Sequence, residues 1–304
     1  MNYDIRTDIA LESKEIYQKA RNIEEEISGV ETIIDDSSPN LLITKVNILT
    51  KEGETALNKP IGTYITIESP HLNDEVSSIN EEIVKKTSQL IQEIAHLVKK
   101  DTVLVVGLGN IDVTPDALGP RVVENLQITR HLIEYAPEYI PKGTRAVSAI
   151  IPGVLGTTGI ETSEIVKGIV EKIHPNLVIV IDALASKNMD RISRTIQIAD
   201  TGIIPGSGVG NSRFAITKET LGIPVIAIGI PTVVGVPTIV DEAIHYVIEK
   251  SENPTQKESI QNSNYRKEIL ENKKFDFMVT PKDIDEMIEN LSDILASSIN
   301  MALN

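Results

Sequence analysis

Cysteine is absent from the 304-residue chain. That excludes a disulfide framework, cysteine-ligated zinc, an iron–sulfur cluster and a thiol nucleophile. Basic charge is scarce: 29 Lys and Arg stand against 44 Asp and Glu, a formal charge of −15. Broad nucleic-acid or anionic-membrane binding needs a dense cationic surface, so neither is expected as a direct partner. Long apolar runs are lacking too. The most extended, Ile223 to Val240, is interrupted by Pro224, Pro231 and Pro237, too broken for a bilayer helix of roughly 20 residues. No basic-then-apolar leader opens the chain, so a soluble, intracellular protein is expected. The 41% apolar residues suffice for a sizeable core.

Short apolar runs bounded by Gly, Pro, Asn or Asp alternate with stretches of helical period, which predicts an α/β fold: a mostly parallel sheet covered on both faces, a three-layer sandwich. Buried strands are expected at Thr102–Val106, Arg145–Ile151, Leu177–Ile181 and Val225–Ile230. Helices are expected at Val76–Lys99, Leu118–Leu132, Glu161–Ile173 and Val240–Glu249. Two shorter pieces, Leu42–Leu49 and Tyr64–Glu68, predict a hairpin or edge pair. A polar excursion is expected around 251–275, followed by a C-terminal helix around 281–302 entered through Thr280-Pro281. There is no internal repeat, and one α/β domain with an N-terminal arm is the economical organisation.

Two blocks invite chemistry. Val103 to Pro120 reads as a strand, a glycine turn at Gly107 and Gly109, then Asn110, Thr114-Pro115-Asp116 and a helix entry. The carboxyl edge of such a sheet is where α/β proteins bind ligands. A dinucleotide fingerprint is not met, because Asp112 stands three residues after Gly109, and Asp112 and Asp116 would repel a pyrophosphate. The second block, Val178 to Ser186, is an apolar strand running into Asp182. If the two strands are neighbours, Asp116 and Asp182 face one cleft, and two close carboxyls cannot both ionise cheaply. One then keeps its proton as an acid while the other serves as base, which suits metal-free peptide hydrolysis. The plainer alternative is that Asp116 caps its helix and Asp182 binds amides in its own turn.

Other candidates are weaker. Asp200-Thr201-Gly202 has the letters of a pepsin-type loop but lacks the all-β setting, and reads as a turn. Gly206-Ser207-Gly208 is too short for a nucleophile elbow, yet Gly208 belongs to a glycine loop suited to contact substrate. The turn around Gly156 would form another wall of the cleft. His131, His174 and His245 show no zinc spacing, so neither metal nor cofactor is expected.

Arg6-Thr7-Asp8-Ile9-Ala10-Leu11-Glu12, Gly107-Leu-Gly-Asn110, Val113-Thr-Pro-Asp-Ala-Leu-Gly-Pro120 and Ile181-Asp-Ala-Leu-Ala-Ser186 together resemble the spore germination proteases of endospore-forming bacteria. The resemblance spans nearly the whole chain. It implies an atypical aspartic endopeptidase made as a zymogen, a fold like that of hydrogenase maturation proteases, and a homotetramer. It further implies degradation of the small acid-soluble proteins that coat spore DNA, within the cytoplasm of forespore and spore core. Carried over by motif, the essential aspartates are Asp116 and Asp182. Cleavage after an acid, before a large apolar residue and Ala, would fall between Asp8 and Ile9 and make residues 1–8 a propeptide. The family also favours an acid four residues before the cut, where this chain has Ile5. Two alternatives stay open: a metal-assisted endopeptidase of the maturation type, although no His matches a metal trio, and a non-catalytic α/β module whose carboxylates grip a basic peptide or a cation.

Overall fold

The computed structural model describes residues 7–23, 25–74, 77–207, 213–251 and 273–304. Residues 1–6 of the expected propeptide, Gly208, and 252–272 of the expected polar excursion lie outside the described residues. Helices, numbered among the described residues, are α1 Ala10–Arg21, α2 Lys51–Leu57, α3 Ser77–Ala95, α4 Leu118–Glu124, α5 Arg130–Tyr135, α6 Leu155–Thr158, α7 Thr162–Ile173, α8 Lys218–Leu221, α9 Val236–Lys250 and α10 Ile284–Leu303. Strands are β1 Val30–Asp35, β2 Leu42–Ile48, β3 Gly62–Glu68, β4 Val103–Gly107, β5 Val147–Ile150, β6 Leu177–Ser186, β7 Thr195–Ala199, β8 Val225–Gly235 and β9 Met278–Val279.

Among the described residues the strands form one nine-stranded sheet in the order β1-β2-β3-β7-β8-β6-β4-β5, with β9 on β8. The half that carries the chemistry, β5-β4-β6-β8, is parallel. The other half is antiparallel, from β8 through β7, β3 and β2 to β1. The expected pair around residues 42–68 is therefore real. Helix α2 connects β2 to β3, so the connection is not a hairpin turn.

Alternation along the strands fills two faces. One face sends Val103, Val105, Ile179, Ile181, Ile226 and Ile228 against α3, α4 and α10. The other packs Leu104, Val106, Val178 and Val180 against Val166 and Val170 of α7. Beyond them, Val46, Ile48 and Tyr64 meet Ala10 and Leu57. The result is a three-layer α/β sandwich. Each fully buried Ile or Leu contributes roughly 1.5–3 kcal/mol, so strands with no exposed apolar residue anchor the centre.

Two elements differ from the sequence expectation in ways that matter for the site. The helix expected over 118–132 is broken, because Gln127 donates its backbone N–H to the Asn300 side chain and Thr129 to the Val147 carbonyl. Strand β6 does not stop at Ile181. It continues to Ser186 by pairing with β8 through Gly229, Ile230 and Pro231, with a register shift at Leu184/Ala185. Among the described residues no helix is long and apolar enough to cross a membrane.

Candidate active site

Strand β4 ends at Gly107, opposite Ile181, while β6 runs on. Asp182 is the first residue of β6 past that last pairing, so the end of one strand leaves it at an open step in the sheet. The chain then crosses this step. Leu108 donates its N–H to the Ile181 carbonyl at 2.8 Å, and the backbone turns at Gly109 with φ +113°. It returns through a 3-10 turn over Thr114–Asp116, held down by the Thr232 hydroxyl on the Pro115 carbonyl at 2.7 Å.

The turn aims Asp116 inward. Its Oδ2 accepts the Asn110 N–H at 2.8 Å. Ala117 is the residue that precedes α4, and no side chain caps that helix start, so Asp116 is not spent as a helix cap. Gly109 permits this closure: a Cβ there would lie 1.9 Å from the Asp116 carbonyl oxygen, in a backbone region that L-residues avoid. Gly109→Ala should therefore cost on the order of 1–3 kcal/mol of stability and displace Asp116, which a denaturation midpoint measured beside activity would show.

Asp182 is 7% exposed, and its Oδ1 accepts the N–H of Ala183 at 3.0 Å. Burial, then the Asp116 carboxylate, then that of Asp8 push its carboxyl well above the ordinary range. Burial also raises Asp116, but the Asn110 N–H opposes that rise. The two acids thus stand within electrostatic reach, and Asp182 is the one that holds a proton more firmly.

The N-terminal segment lies against the continuation of β6. Asp8 donates its N–H to the Ala185 carbonyl at 3.1 Å and accepts the Ala185 N–H on Oδ2 at 2.9 Å. Its Oδ1 accepts from the Ser207 hydroxyl at 2.8 Å. Lys59 Nζ donates to the carbonyls of Thr7 and Asp8 at 3.0 and 3.1 Å. Ile9 and Ala10 have no exposed surface, and Ala10 donates to Gln197. Glu12, 2% exposed, accepts the Ser186 hydroxyl at 2.6 Å, the N–H groups of Lys187 and Asn188, and the Thr7 hydroxyl. A cleft of about 1500 Å³ opens beside this segment, lined by Asp8, Lys59, Leu184, Ser207 and Gly229 among others. Gly229 is the strand partner of Asp182.

Of the residues selected from sequence, the fold brings Gly109, Asn110, Thr114 and Asp116 together at the step where Asp182 stands. Asp8 and Ile9 join them along β6, and Ser186 is tied to Glu12. Gly156 sits in the exposed turn α6 beyond edge strand β5, where a Cβ added to it would meet no atom of another element. Sequence reasoning missed Lys59, Glu12 and Arg191. A lone lysine between Asn58 and Pro60 carries no motif, and Glu12 enters the sequence reading only as the last residue of the N-terminal match. Ser207 had a partial signal in its glycine-rich setting. Among the described residues no three or more His, Asp or Glu side chains are grouped to hold a metal ion.

Residues 10–265 match the family model described as germination protease. The chain is 49% identical to the germination protease of Caldanaerobacter subterraneus subsp. tengcongensis, over 98% of its own length and 94% of the relative's. It is 47% identical to that of Clostridium perfringens over 99% and 95%, and 38% identical to that of Bacillus thuringiensis subsp. konkukian over 99% and 94%. A solved [NiFe] hydrogenase maturation protease, HycI from Thermococcus kodakarensis KOD1, aligns over 69% of this chain and 98% of its own at 15% identity. The TM-score is 0.33. The extent and level of the sequence matches are decisive: the chain belongs to the germination protease family, the endopeptidases of spore germination.

Proposed function

We propose that Asp116 and Asp182 are the hydrolytic pair, that the chain processes itself between Asp8 and Ile9, and that it then degrades small acid-soluble DNA-binding proteins of the spore. The observation that carries the reading is the unequal pair at the open step of the sheet: a buried Asp182 whose proton is held by desolvation and by Asp116. Asp116 takes a proton from water as the water oxygen bonds to the peptide carbon, and Asp182 gives its proton to the carbonyl oxygen. Collapse of the tetrahedral intermediate breaks the C–N bond. The nitrogen leaves with the proton from Asp116, and Asp182 recovers its own. The Asp8–Ile9 bond is supported as the processing site by the Thr7-Asp8-Ile9-Ala10 match and by its anchoring three residues along β6 from Asp182. Assembly as a homotetramer rests on the family resemblance.

The test is to incubate the full-length protein with a purified small acid-soluble spore protein and follow both by mass spectrometry, with and without a chelator. Loss of residues 1–8 and cleavage of the substrate after acidic residues are expected, unaffected by chelation. Asp8→Ala should slow loss of the leading segment at least about a hundredfold, since a carboxylate that accepts two hydrogen bonds is removed. Intact substrate, or activity abolished by the chelator and restored by a divalent ion, would reject the metal-free pair.

A further inference from the structure

The carboxylate of Asp8 is fully engaged. One oxygen accepts the Ala185 N–H at 2.9 Å and the other the Ser207 hydroxyl at 2.8 Å, while the main chain of the same residue donates to the Ala185 carbonyl. The peptide on either side of it is gripped by the Lys59 ammonium, through the carbonyls of Thr7 and Asp8. None of these three groups belongs to the proton-transfer pair. Ser207 and Lys59 line the large cleft, as do Asp8 itself and Leu184 beside Ala185, so the place Asp8 occupies is open to another chain once Asp8 leaves.

We infer that Ala185 N–H, Ser207 and Lys59 form the subsite that selects an acidic residue on the amino side of the cleaved bond, first for Asp8 in cis and then for a substrate peptide in trans. The inference rests on the Asp8–Ile9 bond being the one cut. Each group contributes a different kind of selection. The Ala185 N–H can only donate, so it demands an acceptor. Ser207 supplies a second donor that suits a second carboxylate oxygen. Lys59 is desolvated by its surroundings, which opposes its charge, while Asp8 and Glu12 favour it. An ammonium so placed discriminates a carboxylate from an amide by charge. It also donates to the carbonyl of the bond to be cut, which fixes that bond in register along β6.

Selection is read from a ratio. Two peptides of residues 1–16, one native and one carrying Asp8→Asn, are offered to the processed protein and kcat/KM is measured for each. The native peptide should be preferred. Lys59→Met and Ser207→Ala should each lower that preference by about tenfold, the usual loss for one hydrogen bond or contact to a charge. Lys59→Arg should retain most of it. A purely structural role for either side chain would slow both peptides alike, and an unchanged ratio overturns the inference.

A second measurement does not depend on turnover. In the full-length Asp116→Asn protein, amide exchange at Asp8 and Ala185 should quicken by about tenfold or more when Ser207→Ala or Lys59→Met is added. Unchanged exchange in both again overturns the inference. Failure of the processed wild-type protein to cleave either peptide would instead remove the hydrolytic pair, while the exchange result still decides the subsite.

Discussion

Asn at position 116 or at position 182 should each lower peptide hydrolysis by at least about a thousandfold, leaving the full-length mass unchanged after prolonged incubation. General acid or base assistance supplies roughly a hundred- to ten-thousandfold, and residues that act as a unit fail together. An amide keeps the shape of the carboxyl but neither accepts the proton from water nor returns it to the leaving nitrogen. The pH profile of the wild-type protein should fall on both sides of an optimum, with two apparent pKa values that belong to the pair. Self-cleavage at a wild-type rate in either variant would remove the acid–base assignment.

Asp182→Asn should at the same time make the fold more stable. Burial raises the Asp182 carboxyl above its unfolded value, so its favourable contribution is present below the unfolded pKa of about 3.9 and is lost as pH rises through the folded pKa. At neutral pH the ionisable group therefore opposes folding. Asn removes that opposition, and a gain on the order of 1–3 kcal/mol is expected near pH 7–8, shrinking toward pH 4. Denaturant titrations of both proteins across this range measure it. Equal stability at pH 8 would show that Asp182 is not held against its charge.

Arg191→Met should be the most destabilising single substitution outside the hydrophobic core, at roughly 3–5 kcal/mol. Arg191 is 7% exposed. Its Nε donates to Glu68 at 2.8 Å, its two terminal nitrogens pair with both oxygens of Glu15 at 2.6 and 2.7 Å, and Glu12 lies 3.7 Å away. This one cation ties α1 to β3 and to the segment after β6. Met fills a similar volume but leaves three carboxylates converging with no cation between them, and the deeply buried Glu12 suffers most. A denaturation midpoint shifted by less than about 1 kcal/mol would mean that backbone and hydroxyl donors alone hold Glu12. Loosening of α1 should also release Ile9 and Ala10, visible as faster amide exchange along the N-terminal segment.

The parallel half of the fold was legible because its strands are short apolar runs ended by Gly, Asn or Asp, and β4, β6 and β8 could hardly be anything else. Asp182 was legible for the same reason: a carboxylate directly after Val178 to Ile181 has no apolar role. Strand β7 was not, since Gln197 and Thr195 interrupt its apolar pattern although all five residues are buried. Gln197 is tolerated there because its amide donates to the carbonyls of Ile65 and Ile198. Helix α1 was hidden by its composition, with Glu, Ser and Lys along most of Ala10–Arg21 and only its first turn buried. What anchors it is the pairing of Glu12 and Glu15 with Arg191, some 176 residues away in sequence, and no local pattern announces such a partner. The same limit hid Lys59, whose role depends on where the N-terminal segment lies.

Ile9 is wholly enclosed, and its N–H rests on the Thr7 hydroxyl at 3.1 Å, which in turn donates to Glu12. Severing the chain after Asp8 would convert that amide into an ammonium in a place where a lone charge is costly. It would also carry off Thr7, the bridge between this nitrogen and the Glu12 carboxylate. The new ammonium and the Glu12 carboxylate, which keeps its bonds from Ser186, Lys187 and Asn188, would stand three residues apart at the head of α1, and their opposite charges would favour the cleaved arrangement. Maturation would then be a ratchet whose pawl is forged by the cut itself.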